Sequence, residues 1–260
     1  MAADEAAIAH AVEHDELVLH YQPIVDVRGG SLEGYEALVR WDRPAVGLLP
    51  PGDFIPVAET SELICDVDAW VLNEAARQLA AWNGTAPTSK LVMAVNISGR
   101  HLNSARILDD VAAALGNHVI DPGQLILEIT ETVFVEDGLP LTNLHRLRDL
   151  GVALSLDDYG TGHNSIDQLR RLPVDIVKID KTYLDVSTPD ARERLAIMVD
   201  TCHILGLLVI GEGVENHDQL ALLQEYEVEC AQGFLLGRPL PAADLPDDAG
   251  AGLPRRGAFT

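Results

Sequence analysis

The sequence has little positive charge. Eighteen lysines and arginines stand against 41 aspartates and glutamates, so the formal net charge at pH 7 is −23. A surface of this charge repels phosphates, nucleic acid and anionic lipid, and we therefore expect no nucleic acid polymer as a partner. A phosphate ester could bind only with a cation that is not a side chain, and a divalent metal ion is the obvious candidate.

Cysteine and long apolar runs are also scarce. Cys65, Cys202 and Cys230 lie far apart without a C-x-x-C pair, which predicts neither a zinc site nor a disulfide framework. No apolar run reaches the roughly 18 residues of a membrane span. Residues 1–16 are acidic, whereas a signal peptide would be basic and then apolar. These features predict a cytoplasmic protein with no membrane segment.

Short β-rich runs alternate with longer runs of helical period, a pattern typical of an α/β fold. Eight strands are predicted, at residues 17–25, 32–41, 90–97, 124–130, 152–157, 176–179, 207–211 and 231–235. Helices are predicted at residues 62–82, 104–115, 139–150, 165–172, 189–205 and 217–226. The first two strands are joined by residues 26–31 alone, which is too short for a parallel crossover, so a β-hairpin should open the fold.

Two architectures fit this rhythm, a (β/α)8 barrel and a doubly wound open sheet. A barrel gathers functional groups at the ends of many strands, whereas an open sheet concentrates them near one switch point. Because polar candidates occur at all eight strand ends, we predict the barrel. We assign one domain to residues 1–241 and a frayed tail to residues 242–260, which are rich in Ala, Pro, Asp and Gly.

The strand ends carry a set of mainly acidic side chains. These are Gln22, Glu36 with Arg40, Asn96, Glu128 with Glu131, Asp157 with Asp158, Lys178 with Asp180, Glu212 with Glu215, and Gln232. Burying so many carboxylates in one barrel mouth is costly unless they are paired, protonated or bound to metal. Ligands that are all oxygen favour Mg²⁺ or Mn²⁺, and Ca²⁺ could occupy such a site.

The Asp157-Asp158 doublet indicates two ions, because a strand end that twists into a loop can present both carboxylates. Lys178 could orient a water molecule or stabilise charge on a phosphoryl group. Metal-dependent phosphoester hydrolysis is the chemistry these residues favour. The other open chemistry is a lyase or aldolase that uses Lys178 as a Schiff base, but the glycine-rich phosphate loops of such barrels are missing.

Taken singly, several candidates have structural explanations. An Asp-Asp doublet is commonly a solvated turn, an isolated lysine such as Lys178 is commonly on the surface, and Asp180 is suited to a helix cap. The order and number of the candidates argue against these explanations for the set as a whole.

The segment Glu36-Ala37-Leu38-Val39-Arg40 resembles the signature of the EAL-domain cyclic-di-GMP phosphodiesterases. Further segments resemble motifs of that family at the family's spacing, namely residues 21–25, 54–59, 95–98, 127–131, 156–162, 177–180, 212–215 and 232–234. The resemblance covers residues 10–241.

This resemblance implies a modified TIM barrel whose first strand is antiparallel. It also implies hydrolysis of cyclic di-GMP to linear pGpG with two Mg²⁺ or Mn²⁺ ions, and inhibition by Ca²⁺. By motif, the first ion would be held by Glu36, Asn96, Glu128 and Asp157, and the second by Asp157 and Asp158 with Glu212 nearby. Lys178 would lie against the nucleophilic water, and Gln22, Arg40 and Gln232 would contact the dinucleotide. Glu131 would anchor the loop after the fifth strand, Glu215 would support the Lys178 side of the site, and Asp180 would belong to the same surrounding loop residues.

Three residues of one loop depart from the family's usual pattern. Tyr159, His163 and Asn164 stand where the family usually has Phe, Tyr and Ser. They lie in a loop that is thought to couple dimer contacts to metal binding, so they bear on rate and regulation. The resemblance further implies a homodimer and a GGDEF or sensory domain in a longer parent chain. The alternative function is a catalytically weak EAL domain that acts as a cyclic-di-GMP receptor or protein-interaction module.

Overall fold

Strands and helices alternate along the chain in the computed structural model, which describes residues 4–85, 90–130, 138–160, 166–185 and 188–245. The strands are β1 (Leu17–Asp26), β2 (Leu32–Arg43), β3 (Gly47–Leu49), β4 (Val92–Asn96), β5 (Leu125–Thr130), β6 (Ala153–Tyr159), β7 (Ile176–Ile179), β8 (Leu208–Gly211), β9 (Cys230–Ala231) and β10 (Leu240–Pro241). The helices are α1 (Glu5–Glu13), α2 (Ile55–Ala58), α3 (Leu63–Thr85), α4 (Gly99–Leu102), α5 (Ile107–His118), α6 (Leu139–Asp149), α7 (Ile166–Leu169), α8 (Pro189–Ile204) and α9 (His217–Glu225). None of these described helices combines the length and the apolar composition that a membrane crossing requires.

Eight strands close into a barrel in the order β1, β2, β4, β5, β6, β7, β8, β9, with β9 returning to β1. Pairing is parallel from β2 through β4 to β9, whereas β1 is antiparallel to both β2 and β9. The prediction of a modified (β/α)8 barrel that opens with an antiparallel hairpin is confirmed. Within the hairpin Gln22 lies opposite Glu36, so both side chains enter the barrel at the same level.

The barrel interior explains why polar residues collect at one end. Its lower layer is apolar and contains Ile24, Val92, Ala94, Ile126, Ile176, Ile210 and Cys230. Strand side chains alternate between the two faces of a sheet, so the residue two positions nearer the mouth also points inward. For Val92 that residue is Ala94 of the same apolar layer; for the other six they are Gln22, Asn96, Glu128, Lys178, Glu212 and Gln232. The alternation of side chains along each strand therefore places a polar layer directly above the apolar layer.

The last barrel strand was predicted over residues 231–235, and that length is wrong, because β9 ends at Ala231. At Gly233, whose φ is +156°, a Cβ atom would lie 2.1 Å from the backbone nitrogen of Val214. Val214 donates a hydrogen bond to the Gln232 carbonyl at 3.0 Å. The chain therefore leaves the sheet here to cross the loop that follows β8. The short strands β3 and β10 and the helices α1, α2 and α4 were not among the predicted elements.

Ordered structure continues past the boundary that we placed at residue 241. Ala242–Asp244 forms a 3-10 helix, and Ala242 and Leu245 pack against the hydrophobic core. Residues 246–260 lie outside the described residues, so the tail over that range stays a prediction. Helix α7 is shorter than the predicted range 165–172, and residue 165 also lies outside the described residues.

Candidate active site

Lys178 lies at the centre of the polar layer and is 1% exposed. Its Nζ atom is 2.7 Å from Glu212 Oε1 and 2.9 Å from Glu128 Oε1. Glu36 Oε2 and Asp157 Oδ1 lie at 3.5 and 3.6 Å. Four carboxylates from different parts of the barrel wall thus surround one buried ammonium group.

Glu36 is held by hydrogen bonds as well as by charge. Asn96 Nδ2 donates to Glu36 Oε1 at 2.8 Å, and Gln232 Nε2 donates to Glu36 Oε2 at 2.7 Å. Gln232 Nε2 also donates to Glu212 Oε1 at 3.1 Å. Because these groups come from β2, from β4 and from the residue directly after β9, the cluster exists only when the barrel is closed.

The burial of the cluster displaces the pKa values of its members. Burial lowers the pKa of Lys178, but the surrounding carboxylates outweigh it and the pKa ends well above its ordinary value. Burial raises the pKa of Glu128 well above its usual range and that of Glu212 to about 7, with Lys178 opposing both changes. Burial also raises the pKa of Glu36, but Lys178 and the hydrogen-bonded side chains outweigh burial, so the pKa of Glu36 ends below its ordinary value. A crowded set of acids around one ammonium group is the electrostatic situation that a divalent cation relieves.

Asp157 and Asp158 lie at a bulge in β6. The pairing of β6 with β7 is interrupted between Leu156 and Tyr159, and Asp158 adopts a left-handed conformation with φ +56°. The Asp158 amide donates to Asp157 Oδ1 at 3.0 Å. As a result, carboxylate oxygens of Asp157, Asp158 and Glu212 come within 4.8 Å of one another.

The donor set fits a hard cation. Among the described residues, neither carboxylate oxygen of Glu128 has a hydrogen-bond partner of good geometry, although Oε1 is in ion-pair contact with Lys178. A buried carboxylate in this state is expected to have a further partner. The oxygens of Glu36, Glu128, Asp157, Asp158 and Glu212, with the Asn96 amide, are the ligands that Mg²⁺ and Mn²⁺ prefer.

The three predicted substrate contacts lie at the rim or in the upper layer of the barrel. Gln22 is buried, and its Nε2 atom donates to the Gly237 carbonyl at 3.2 Å. Arg40 is half-buried, and its Nη1 atom donates to the Val39 carbonyl at 2.8 Å. Gln232 reaches the acidic cluster directly.

Two cavities open beside the cluster. The first, of about 390 Å³, extends from Glu36 and Asn96 towards α2 and α3. The second, of about 230 Å³, lies between Gln22, Glu212 and Phe234. The acidic cluster therefore lies between two spaces that could take the halves of an extended ligand.

Other predicted residues lie farther from the centre. Asp180 caps the 3-10 helix Lys181–Leu184 by accepting a hydrogen bond from the Thr182 amide at 2.9 Å, as its structural explanation anticipated. Glu215 is exposed, and its amide donates to Gln219 Oε1. Tyr159 is buried in the hydrophobic core. Glu131, His163 and Asn164 lie outside the described residues.

Sequence reasoning missed Asp68, which lies in α3 and is 6% exposed. Its Oδ2 atom accepts hydrogen bonds from the Ser98 amide at 3.0 Å and from the Ser98 hydroxyl at 2.7 Å. Ser98 also caps α4, so this contact holds the turn that carries Asn96. No local signal marks Asp68, because it lies within a helical run far from any strand end.

The aromatic ring of Phe234 was also given no role of its own. It is 52% exposed at the rim of the second cavity, and the Arg238 guanidinium carbon lies 4.2 Å from its ring centroid. The signal was available, because Phe234 belongs to the motif at residues 232–234.

The fold and site together define a class of protein: a (β/α)8-type barrel with one antiparallel strand and, at its mouth, a cluster of carboxylates around a buried lysine that could bind a metal ion. The family model described as EAL domain matches residues 5–239. The chain belongs to the EAL domain family, as the motif resemblance implied.

Several relatives with known names are similar to this chain. It is 40% identical over 243 residues to the bifunctional diguanylate cyclase/cyclic di-GMP phosphodiesterase MucR of Pseudomonas aeruginosa, a match that covers 92% of this chain and 35% of that protein. It is 40% identical over 249 residues to the cyclic di-GMP phosphodiesterase NbdA of the same species, covering 94% of this chain and 31% of that protein. The chain thus spans about a third of the length of these relatives.

Solved structures show the same architecture. The PaMucR phosphodiesterase in complex with c-di-GMP matches with a TM-score of 0.86 at 38% identity, covering 93% of this chain and 98% of that one. The FimX EAL domain from Pseudomonas aeruginosa bound to c-di-GMP matches with a TM-score of 0.83 at 26% identity, covering 94% of this chain and 99% of that one.

Proposed function

We propose that this domain hydrolyses cyclic di-GMP to linear pGpG in a reaction that depends on two Mg²⁺ or Mn²⁺ ions. The observation that carries the proposal is the convergence of Glu36, Glu128, Asp157 and Glu212 on the buried Lys178 ammonium, with Asp158 beside them. The names of the relatives MucR and NbdA support the substrate.

The ions would be divided between two neighbouring groups of ligands. Glu36, Asn96, Glu128 and Asp157 would hold one ion, and Asp157 and Asp158 would hold the other with Glu212 nearby. Bound there, such ions would polarise the phosphoryl oxygens and lower the pKa of a water molecule.

The protein's own groups orient the reactants. Lys178 remains protonated, and its Nζ atom is held 2.7 Å from Glu212 Oε1 and 2.9 Å from Glu128 Oε1. Its ammonium group therefore offers an N–H donor in a fixed position. From there it would orient the attacking water and stabilise negative charge on the phosphoryl group. Gln232 holds both Glu36 and Glu212, which keeps the acids in place without contributing further charge.

The two cavities would receive the two halves of the dinucleotide. The Arg40 guanidinium would pair with a phosphate, since its planar fork matches phosphate oxygens. The exposed ring of Phe234 would stack against a guanine base, with Gln22 lining the same space.

Replacing Phe234 with alanine is expected to raise KM for cyclic di-GMP roughly tenfold with little change in turnover, because stacking of one base on an aromatic ring is worth about 1–3 kcal/mol. Steady-state kinetics at saturating Mg²⁺ measure this. Leu240→Ala is the matched control, since Leu240 is another exposed apolar residue and lies outside both cavities. An unchanged KM in Phe234→Ala would contradict the stacking role.

Removing divalent cations with EDTA is expected to abolish hydrolysis, and added Mg²⁺ or Mn²⁺ should restore it, because the single Lys178 ammonium cannot balance the four carboxylates around it. Ca²⁺ is expected to occupy the site without supporting turnover. The rate of pGpG formation measures both effects. Full activity in excess chelator would exclude the proposed chemistry.

The decisive experiment incubates metal-loaded protein with cyclic di-GMP and separates the nucleotides by chromatography, with a metal-free control. Metal-dependent pGpG supports the phosphodiesterase. Tight binding without product would instead make the domain a cyclic-di-GMP receptor. Homodimerisation, a cytoplasmic location and additional domains in a longer chain stay predictions.

A further inference from the structure

The turn that follows the Asp157-Asp158 doublet is held by Tyr183, which lies in the segment after the neighbouring strand β7. The Tyr183 hydroxyl donates a hydrogen bond to the carbonyl oxygen of Gly160. Tyr183 lies in the 3-10 helix Lys181–Leu184, just beyond the end of β7, the strand that carries Lys178. A single hydroxyl therefore links the segment after β7 to the segment after β6.

The same contact is enforced by packing. Gly160 has a φ of +99°, and a Cβ atom there would lie 2.7 Å from the Tyr183 hydroxyl oxygen and 2.7 Å from Met198 Cε. Tyr183 and Met198, the latter from α8, thus cover a backbone position that only glycine fits. The Gly160 carbonyl is thereby fixed in both direction and distance.

This anchor lies next to a backbone conformation that needs support. Asp158 holds a φ of +56°, and a non-glycine residue keeps such a conformation only when its surroundings impose it. The β6–β7 pairing is interrupted at this place, between Leu156 and Tyr159. The Tyr183–Gly160 hydrogen bond follows directly after the interruption, where it limits how far the doublet can move.

We propose that Tyr183 is a positioning residue for the carboxylates of Asp157 and Asp158, acting through Gly160, and that it raises the affinity of this end of the cluster for a divalent cation. The inference rests on the proposed function, in that the doublet is taken to hold a metal ion. Outer residues that orient metal ligands commonly influence metal affinity in this way.

Tyr183→Phe tests the inference, because it removes one hydroxyl and keeps the ring that covers Gly160. Mn²⁺ binding is measured by calorimetric titration without substrate. Because Asp157 and Asp158 are proposed ligands, the affinity of at least one Mn²⁺ site is expected to fall roughly three- to tenfold, the effect of losing one hydrogen bond. The Mn²⁺ concentration for half-maximal turnover should rise by the same factor, while turnover at saturating Mn²⁺ and the melting temperature stay near wild type.

Tyr226→Phe is the matched control, since Tyr226 is likewise half-buried but lies at the end of α9. It should leave Mn²⁺ affinity unchanged. A Tyr183→Phe protein with wild-type affinity at both sites would overturn the inference while the proposed function stands. A wild-type protein that binds no Mn²⁺ would instead overturn the proposed function itself, and the inference with it.

Gly160→Ala provides a second variant. Its Cβ atom would displace both Tyr183 and Met198, so we expect a loss of Mn²⁺ affinity at least as large as that in Tyr183→Phe. Circular dichroism establishes that the variant is folded. Unchanged Mn²⁺ affinity in folded Gly160→Ala would also count against the inference.

Discussion

Replacing Lys178 with methionine is expected to lower turnover of cyclic di-GMP by about 10²–10³-fold, the usual effect of removing one donor that stabilises transition-state charge. Methionine retains a long apolar stem, so the barrel interior stays filled. Turnover is measured at saturating Mg²⁺ and substrate. A variant with wild-type turnover would remove Lys178 from the mechanism.

For the same variant we also predict a change in thermal stability, which does not depend on catalysis. Four carboxylates lie within 3.6 Å of the Lys178 ammonium, and removing one partner of a buried charge network costs about 3–5 kcal/mol. The melting temperature in EDTA is therefore expected to fall by about 10 °C. Added Mg²⁺ or Mn²⁺ should recover most of this loss, because the cation supplies the missing positive charge.

Lys90→Met is the matched control for both measurements. Lys90 is exposed and lies 3.9 Å from Asp121, a surface pair of little energetic value. Its substitution should change neither turnover nor the metal dependence of the melting temperature. If added Mg²⁺ or Mn²⁺ raised the melting temperature equally in both variants, Lys178 would not be the positive charge that balances the acids of the cluster.

Replacing Glu36 with alanine is expected to reduce turnover by at least roughly 10³-fold, because a metal ion's Lewis acidity is worth several kcal/mol and each 1.36 kcal/mol is tenfold in rate. Glu36 also receives hydrogen bonds from Asn96 and Gln232, which lose their acceptor in the variant. Turnover and Mn²⁺ affinity should fall together, while circular dichroism shows a folded barrel.

Glu33→Ala separates this effect from the general loss of a buried carboxylate on β2. Glu33 is also buried and accepts a hydrogen bond from Ser31 at 3.0 Å, but it lies three residues before Glu36, next to the start of β2 at Leu32. Its variant should keep wild-type Mn²⁺ affinity. Equal affinity losses in the two variants, or unchanged turnover in Glu36→Ala, would count against the assignment of the metal site.

The sequence was sufficient for the barrel topology and for most of the polar residues at the mouth. The short connection at residues 26–31 allows only an antiparallel pair, and that alone predicts the reversed first strand. Because side chains alternate between the two faces of a strand, the two-residue period then predicts which polar residue points into the barrel above the apolar interior. These are local properties, since they depend on neighbours within one strand or one turn.

The ends of elements were predicted less well because they depend on contacts between distant segments. Strand β9 ends at Ala231 since the chain must pass Val214, which lies in another loop. Strand β10 exists because Leu240 finds a partner in Tyr21 on β1. Neither cause is visible within the residues of the strand itself.

The arrangement within the site was likewise decided by the tertiary structure. The sequence determined that acids, a lysine and amides occupy the strand ends, and hence the class of chemistry that we propose. Only barrel closure and strand register place Lys178 between Glu128 and Glu212, and only packing brings Tyr183 to Gly160. Side-chain chemistry is a property of each residue, whereas the distances between groups far apart in the chain are properties of the closed sheet.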